Sequence, residues 1–503
     1  MRLVGKWLFL CVLILPGQFS DAKNPATPKP RTIVTSDGEV DDMDSFIRML
    51  LYTNEFKVEG LVYSSSMWHY KGDGNGTLFT SEMPMTAKMY GAKTDLRWVG
   101  TTWMSELIDK YAVAYPNLVQ HDPLYPTPEY LKSIIRVGNI DFEGEMSKDT
   151  EGSDFIKKIL LDNNNHPVYV QMWGGTNTLA RALKSIEDQY KGTPDWSSVY
   201  KKVSEKTILY IILDQDATYK KYVAVNWPDV KVIYNGKQFW CLAYGGVRTF
   251  PDQLKPYLSG DWFLRNILKG HGPLLETYYL WGDGRQITGD SEHNQGSATE
   301  MKKAGRQKYD FLSEGDSPSY FHLIDFGLNS TGNPSYGGLG GRFVQSAENK
   351  KLWEDVKTVT DLNPYTQKQD PSFPQVRWFD VLQNDFAARA DWCMKKYAEA
   401  NHAPVVTVER SLIQAKAGEK LILKGSASDP DQNTLSYKWW QYVEAGTYPT
   451  VVSILNGDQQ NATIEIPADT IQEQTLHFIL EVSDDGSPRL TRFQRIIVQI
   501  KNN

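Results

Sequence analysis

From Arg31 to about Ala400 the chain alternates short β-branched runs with longer amphipathic ones. Arg31–Ser36, Lys57–Ser64, Pro167–Trp173, Thr207–Leu213 and Val230–Tyr234 read as strands. Asp154–Leu161, Thr178–Ile186 and Trp262–Leu268 carry helical spacing, and Phe46, Met49 and Leu50 set a further helix directly after the first strand. This βαβ rhythm predicts an α/β unit, a mostly parallel open sheet covered by helices on both faces. Arg377–Asn401 reads as its closing helix. Two Gly-rich polar inserts, Lys71–Thr80 and Gly282–Gly296, are long enough to shape a binding site.

Beyond a linker at Asn401-His402-Ala403-Pro404 the period shifts to two. Val405–Glu409, Lys420–Gly425, Leu435–Gln441, Thr463–Ile466, Leu476–Ser483 and Gln494–Ile500 are short alternating runs between turns, which predicts an all-β, immunoglobulin-like sandwich. Three segments are therefore expected: 1–22, 23–400 and 401–503. Alternation puts Trp439 in the sandwich core and Trp440 on the opposite face, toward either a carbohydrate or the preceding domain.

With 503 residues, the chain is too long for a single core, and its 41% hydrophobic content is that of packed domains. The net charge of −7 and the lack of a basic run argue against nucleic acid, whereas 15 Trp supply rings of the kind that stack on sugars. Arg2 and Lys6 precede the apolar run Trp7–Pro16, and Ser20-Asp21-Ala22 follows it, the layout of a secretory signal cleaved after Ala22. Export to the periplasm or the medium is the expected localisation. No later stretch has the roughly 20 apolar residues of a membrane span. Cys241 and Cys393 remain after cleavage, too few for a disulfide scaffold.

The chemistry gathers where the first strand stops, at Asp37-Gly38-Glu39-Val40-Asp41-Asp42. Ligands of open parallel sheets collect where strands end and helices begin. Several carboxylates sharing that lip need a cation or a proton, and an all-oxygen donor set favours Ca²⁺ over zinc. The plainer reading is a turn at Asp37-Gly38 and a helix start that welcomes Asp41 and Asp42. An Asp-x-Asp phosphatase motif is excluded, because Glu39 stands where the second Asp belongs.

The strand followed by Asp37, Asp41 and Asp42 resembles the N-terminal signature of nucleoside hydrolases. The order of that segment, Glu59-Gly60-Leu61 to Ser66-Met67-Trp68-His69, and Glu314-Gly315-Asp316-Ser317-Pro318-Ser319 is similar to the nucleoside-hydrolase-like domain of secreted bacterial proteins described as cellulose-binding. The resemblance implies calcium held by Asp37, Asp42, Asp316 and the main-chain carbonyl of Thr176 in Gly174-Gly175-Thr176-Asn177. It also implies a sugar-binding Asp41 and a general base at Asp37. Where the family has a ribose-contacting Asn after the second strand, this chain has Ser64-Ser65-Ser66-Met67-Trp68-His69-Tyr70, a departure that puts nucleoside specificity in question.

Trp68, Asn177 and Asp214 are accordingly expected around a substrate, and His69, whose ordinary pKa suits acid work, is expected to protonate a leaving group. Asp429-Pro430-Asp431 and Asp484-Asp485-Gly486 read as Asx turns or as a second calcium site. The expected function is a secreted, calcium-dependent hydrolase of N- or O-glycosidic bonds acting on a glycan fragment or glycoside. The alternatives are a non-catalytic carbohydrate-binding protein, with cellulose as ligand, and an extracellular nucleoside hydrolase.

Overall fold

The computed structural model describes residues 28–290 and 292–501, so the expected signal peptide lies outside the described residues. One sheet holds β1 (Arg31–Ser36), β2 (Lys57–Tyr63), β3 (Ile135–Val137), β4 (Val168–Met172), β5 (Thr207–Ile212), β6 (Lys231–Asn235), β7 (Val344–Gln345) and β8 (Leu352–Glu354). Their order is β3-β2-β1-β4-β5-β6-β8-β7. Every pairing is parallel except that of β8 with β7.

Helices α1 (Val40–Leu50), α2 (Trp103–His121), α3 (Glu151–Leu161), α4 (Asn177–Tyr190), α5 (Ser317–Phe321) and α6 (Phe379–Trp392) include the main covers of the two faces. Because strand side chains alternate, adjacent β1 residues enter different cores. Ile33 packs with Ile156 of α3 and Leu179 and Leu183 of α4. Val34 packs with Phe46 of α1, Leu107 of α2 and Phe386 of α6. Neither α2, which contains Pro116, nor the three-residue β3 is legible in the hydrophobic pattern. The closing helix stops at Trp392 and not at Asn401, because the chain folds back and the Trp392 indole donates to the Asn401 carbonyl at 3.0 Å.

β1 pairs with β2 on one side and β4 on the other. The strand order therefore reverses at β1, and a crevice opens at the C-terminal ends of β1 and β4.

The C-terminal region has β9 (Val405–Val408), β10 (Leu412–Ala415), β11 (Lys420–Ser428), β12 (Ser436–Gln441), β13 (Ile454–Leu455), β14 (Asn461–Glu465), β15 (Thr475–Ser483) and β16 (Thr491–Ile500). They form two four-stranded sheets, β9-β11-β14-β13 and β10-β16-β15-β12. All pairings are antiparallel except β10 with β16. Leu423, Trp439, Ile464, Phe478 and Val498 share the core between them, while Tyr442, Ile479 and Phe493 join the core of the preceding region. Trp440 lies 6.1 Å from Trp378, so its face is turned toward the α/β unit.

The segment expected as a free linker is anchored. Asn401 bonds Asp484 at 3.0 Å and the His402 amide donates to Asp431 at 2.6 Å. These bonds occupy Asp431 and Asp484 with protein donors. Strand β16 also bonds the α/β unit directly, Phe493 N–H to the Phe326 carbonyl at 2.9 Å and Arg495 N–H to that of Gly327 at 3.1 Å. Gly327, at φ +91°, is required there, since a Cβ would stand 1.8 Å from the Phe493 carbonyl oxygen.

Burial holds the imidazole of His322 down to about 3, with Lys231 adding to the effect. A folded-state pKa below the ordinary 6.5 means that only the unfolded chain takes up the proton near neutrality. The resulting stability is present above pH 6.5 and is lost as the pH falls toward 3. Replacing His322 with Phe is expected to flatten the fall of the unfolding free energy, measured by urea titration, between pH 7 and 4 by up to about 1.4 kcal/mol per pH unit. Parallel profiles for the two proteins would contradict this.

Candidate functional site

The crevice is built by four segments. Asp37 follows the last residue of β1, and the first turn of α1 carries Asp41 and Asp42, where the helix N-terminus favours negative charge. The turn after β4 packs against Asp37 so closely that a Cβ on Gly174 would lie 3.0 Å from the Asp37 Cγ. Asp316 precedes α5, held against α1 by the buried ion pair of Arg48 with Glu314 at 3.1 Å.

Carboxylate oxygens of Asp41, Asp42 and Asp316 all lie within 4.8 Å of one another. Asp42 accepts a hydrogen bond from Ser36 Oγ, whereas the buried Asp37 has only the long contact of one oxygen with His69 Nδ1 at 3.5 Å. Burial, Glu39 and Asp37 push Asp41 up to about 7. Burial and the neighbouring carboxylates raise Asp42 and Asp316 well above the usual carboxylate range. An orphaned oxygen and crowded, desolvated carboxylates with only oxygen donors fit a hard divalent cation such as calcium. Asp41 thus joins the oxygen cluster, although the family pattern gives it the sugar.

A second network lies beside the first. His69 sits between Asp290, 3.1 Å from Nε2, and Asp37, 3.5 Å from Nδ1. Asp290 also accepts Arg97 Nε and Nη2, each at 2.9 Å, and His293 Nδ1 at 2.5 Å. His293 Nε2 stands 3.2 Å from Glu39, which accepts the Tyr244 hydroxyl at 2.8 Å. His69, Asp290 and His293 are close enough together to suggest a metal. Arg97 already supplies a cation there, through its paired bonds to Asp290. Burial works against the charge on His69, but Asp290 and Asp37 outweigh it and hold the ring up to about 9. Burial likewise opposes ionisation of Glu39, yet His293 and Arg97 bring it down to about 2.

A cavity of about 340 Å³ opens above these groups, lined by Glu39, Asp41, Asp42 and Asp316 with Trp68, Trp240, Tyr244 and His293 among its walls. Trp68 stands where a substrate platform is expected. Three of the expected residues lie back from the cavity wall. His69 is fully buried between two carboxylates and, like Asp37, does not line the cavity. Asn177 has its amide nitrogen committed to Ser65 Oγ, the Asn139 carbonyl and the Glu145 carbonyl, and it braces the turn away from the substrate. Asp214 is buried and takes the Lys220 amide at 3.3 Å, pointing away from the cavity that its neighbours Leu213 and Gln215 line. The Thr176 carbonyl accepts the first bond of α4 from the Ala180 amide at 3.0 Å, and its Oγ1 is buried without a partner.

Arg97, Tyr244 and Asp290 are the site residues that sequence reasoning missed. Each comes from an irregular segment far from the signature, and only the Gly282–Gly296 insert hinted at one of them.

Fold and site together define an α/β protein of the nucleoside-hydrolase-like class, with an acidic crevice at its strand ends and an added β-sandwich. The chain belongs to the family described as "Cellulose-binding Sde182, nucleoside hydrolase-like domain", whose model matches residues 31–343. A second model, "Cellulose-binding protein Sde0182, C-terminal domain", matches residues 420–500. A nucleoside hydrolase-related protein from Saccharophagus degradans, described as associated with carbohydrate metabolism, has a similar fold. It is 24% identical with a TM-score of 0.70, over 94% of this chain and 100% of that one. An effector protein reaches a TM-score of only 0.35 at 10% identity, over 74% of this chain and 95% of its own, too little to carry an argument. No curated protein matches the chain.

Proposed function

We propose that the protein is a calcium-dependent glycosyl hydrolase acting on a glycan fragment or glycoside. The observation that carries the reading is the Asp37 carboxylate, buried beside the Asp41, Asp42 and Asp316 cluster, with one oxygen facing His69 at 3.5 Å and the other without a protein donor. Asp37, Asp42, Asp316 and the Thr176 carbonyl would hold the calcium, with Asp41 adjoining the same cluster. When bound, calcium supplies a positive charge that orients sugar hydroxyls and lowers the pKa of a nearby water. Asp37 takes the proton from water attacking the anomeric carbon, and the surrounding carboxylates stabilise the oxocarbenium-like transition state. Trp68 offers an apolar wall to a sugar ring. His293 is the imidazole that lines the cavity, with its ring nitrogens facing Asp290 and Glu39, and His69 stands behind it as the expected leaving-group acid. The second reading, a carbohydrate-binding protein without turnover and with cellulose as ligand, is favoured by the description of the family.

The test is hydrolysis of a panel of aryl glycosides, oligosaccharides and ribonucleosides with calcium or with a chelator. Turnover that requires calcium supports the hydrolase; saturable sugar binding without turnover supports the second reading. Calcium at 100 times its dissociation constant is expected to add about 2.7 kcal/mol of stability. Asp42→Asn should remove that response while raising the melting temperature of the calcium-free protein, because it deletes one of the crowded buried carboxylates. A calcium response unchanged in Asp42→Asn would contradict the assigned ligand set.

A further inference from the structure

The cavity at the strand ends is not the largest opening with aromatic walls. A cleft of about 370 Å³ lies between the sandwich and the α/β unit, far in sequence from the acidic signature. One wall is the outward face of β12 and β15, where Lys438 pairs across the strands with Glu481 and Trp440 follows on the same face. The Trp440 indole is held in place by its N–H bond to Glu481 at 3.1 Å. The opposite wall comes from the α/β unit: Arg377, Asp380 and Tyr365, the last on the hairpin of Asp361–Asn363 with Lys368–Asp370. That hairpin is tied to the sandwich through the Leu362 amide and Glu444 at 2.8 Å.

Two properties of the lining specify its occupant. First, both cations of the lining are already paired: Lys438 stands 3.4 Å from Glu481 and Arg377 stands 3.2 Å from Asp361. Asp380 and Glu444 add negative charge to the walls, so no free cation is left to recruit an anionic ligand. Second, the lining combines aromatic surface with polar groups. Tyr365 is 44% exposed, and the guanidinium of Arg377 stacks 4.2 Å from the Tyr442 ring. Exposed aromatic surface among polar side chains suits an uncharged ligand with flat apolar faces and a rim of hydroxyls. Pyranose rings have that form.

We propose that this interdomain cleft is a second binding site, for a neutral glycan chain, separate from the acidic cavity. It rests on the carbohydrate reading above. Binding there needs both domains, since Trp440 and Tyr365 come from different ones, so the sandwich would add a hold on the chain whose end or branch enters the acidic cavity.

The experiment is calorimetric titration of the full chain with cellohexaose and with xylohexaose, in parallel for the native protein, Tyr365→Ala, Trp440→Ala and Asp41→Asn. Tyr365 is exposed enough for its replacement to leave the fold intact, which covers the case in which Trp440→Ala unfolds. A saturable binding event weakened about fivefold to tenfold by Tyr365→Ala, and retained in Asp41→Asn, is the expected result. Loss in Asp41→Asn alone would overturn the cleft and leave the acidic cavity as the glycan site. Binding unaffected by any of the variants would overturn both assignments. No binding of either hexasaccharide by the native protein would overturn the cleft, while hydrolysis of small glycosides would still stand or fall by its own assay.

Discussion

Asp37→Asn is expected to lower turnover of any glycoside the protein cleaves by about 10²- to 10⁴-fold, the cost of removing a general base. The amide keeps the volume that packs under Gly174 but has no basic lone pair to take a proton from water. The protonated ring of His69 faces one Asp37 oxygen at 3.5 Å, so the variant also weakens that buried ion pair, and unfolding stability is measured beside turnover. His69, 3.5 Å away, stays anchored on Asp290 and keeps the neighbouring wall in place. Calcium affinity has to be measured alongside, because a weaker ligand at this position also empties the site. A variant that bound calcium and retained the native rate would show that Asp37 is not the base and would leave binding without turnover as the reading.

Deleting residues 405–503 is expected to abolish cooperative folding of what remains. The anchored segment at 401–404 and the shared core make the sandwich a wall of the α/β unit and not an appendage. Arg495 is fully buried and donates to the carbonyls of Leu328 at 2.6 Å and Gly337 at 2.7 Å, both in the preceding region. The Tyr442 hydroxyl reaches Asp361 at 2.7 Å, and Arg492 pairs with Asp385 at 2.8 Å. Arg495→Ala alone should cost about 1–3 kcal/mol for each carbonyl it strands. That is a large part of the 5–15 kcal/mol that holds a typical domain together. Urea unfolding of Arg495→Ala and thermal unfolding of the truncated chain test this. A native urea midpoint in the first, or a sharp thermal transition in the second, would show that the two units fold independently.

Most of the sheet was legible because its strands are buried on both faces and so read as unbroken apolar runs. β1, β2, β4, β5 and β6 lie within a residue or two of their expected limits. In the sandwich β11 and β14 alternate in burial while β15 is buried on both faces, and β10 and β13, of four and two residues, are too short to show a period. The acidic cluster was legible for a local reason: Asp37, Asp41 and Asp42 are neighbours in the chain. Asp316 was recognised only through resemblance, since nothing in its own surroundings points back to α1.

What the sequence by itself determined is therefore the class of fold, the succession of an α/β unit and a β-sandwich, and the oxygen-rich chemistry at the end of β1. Local periodicity and adjacent carboxylates are properties of short windows, and short windows suffice to read them. The tertiary structure alone decided which side chains face the crevice. His69 and Asn177 follow the right strands, yet buried partners claim them: Asp290 takes the imidazole, and Ser65, Asn139 and Glu145 take the amide. Arg97, Tyr244 and His293 reach the site from irregular loops, whose paths are set by packing and hydrogen bonds between residues as much as 200 positions apart, as in Tyr244 with Glu39. Contacts of that span leave no periodic trace in the chain, and the energy that fixes them exists only once the elements have come together.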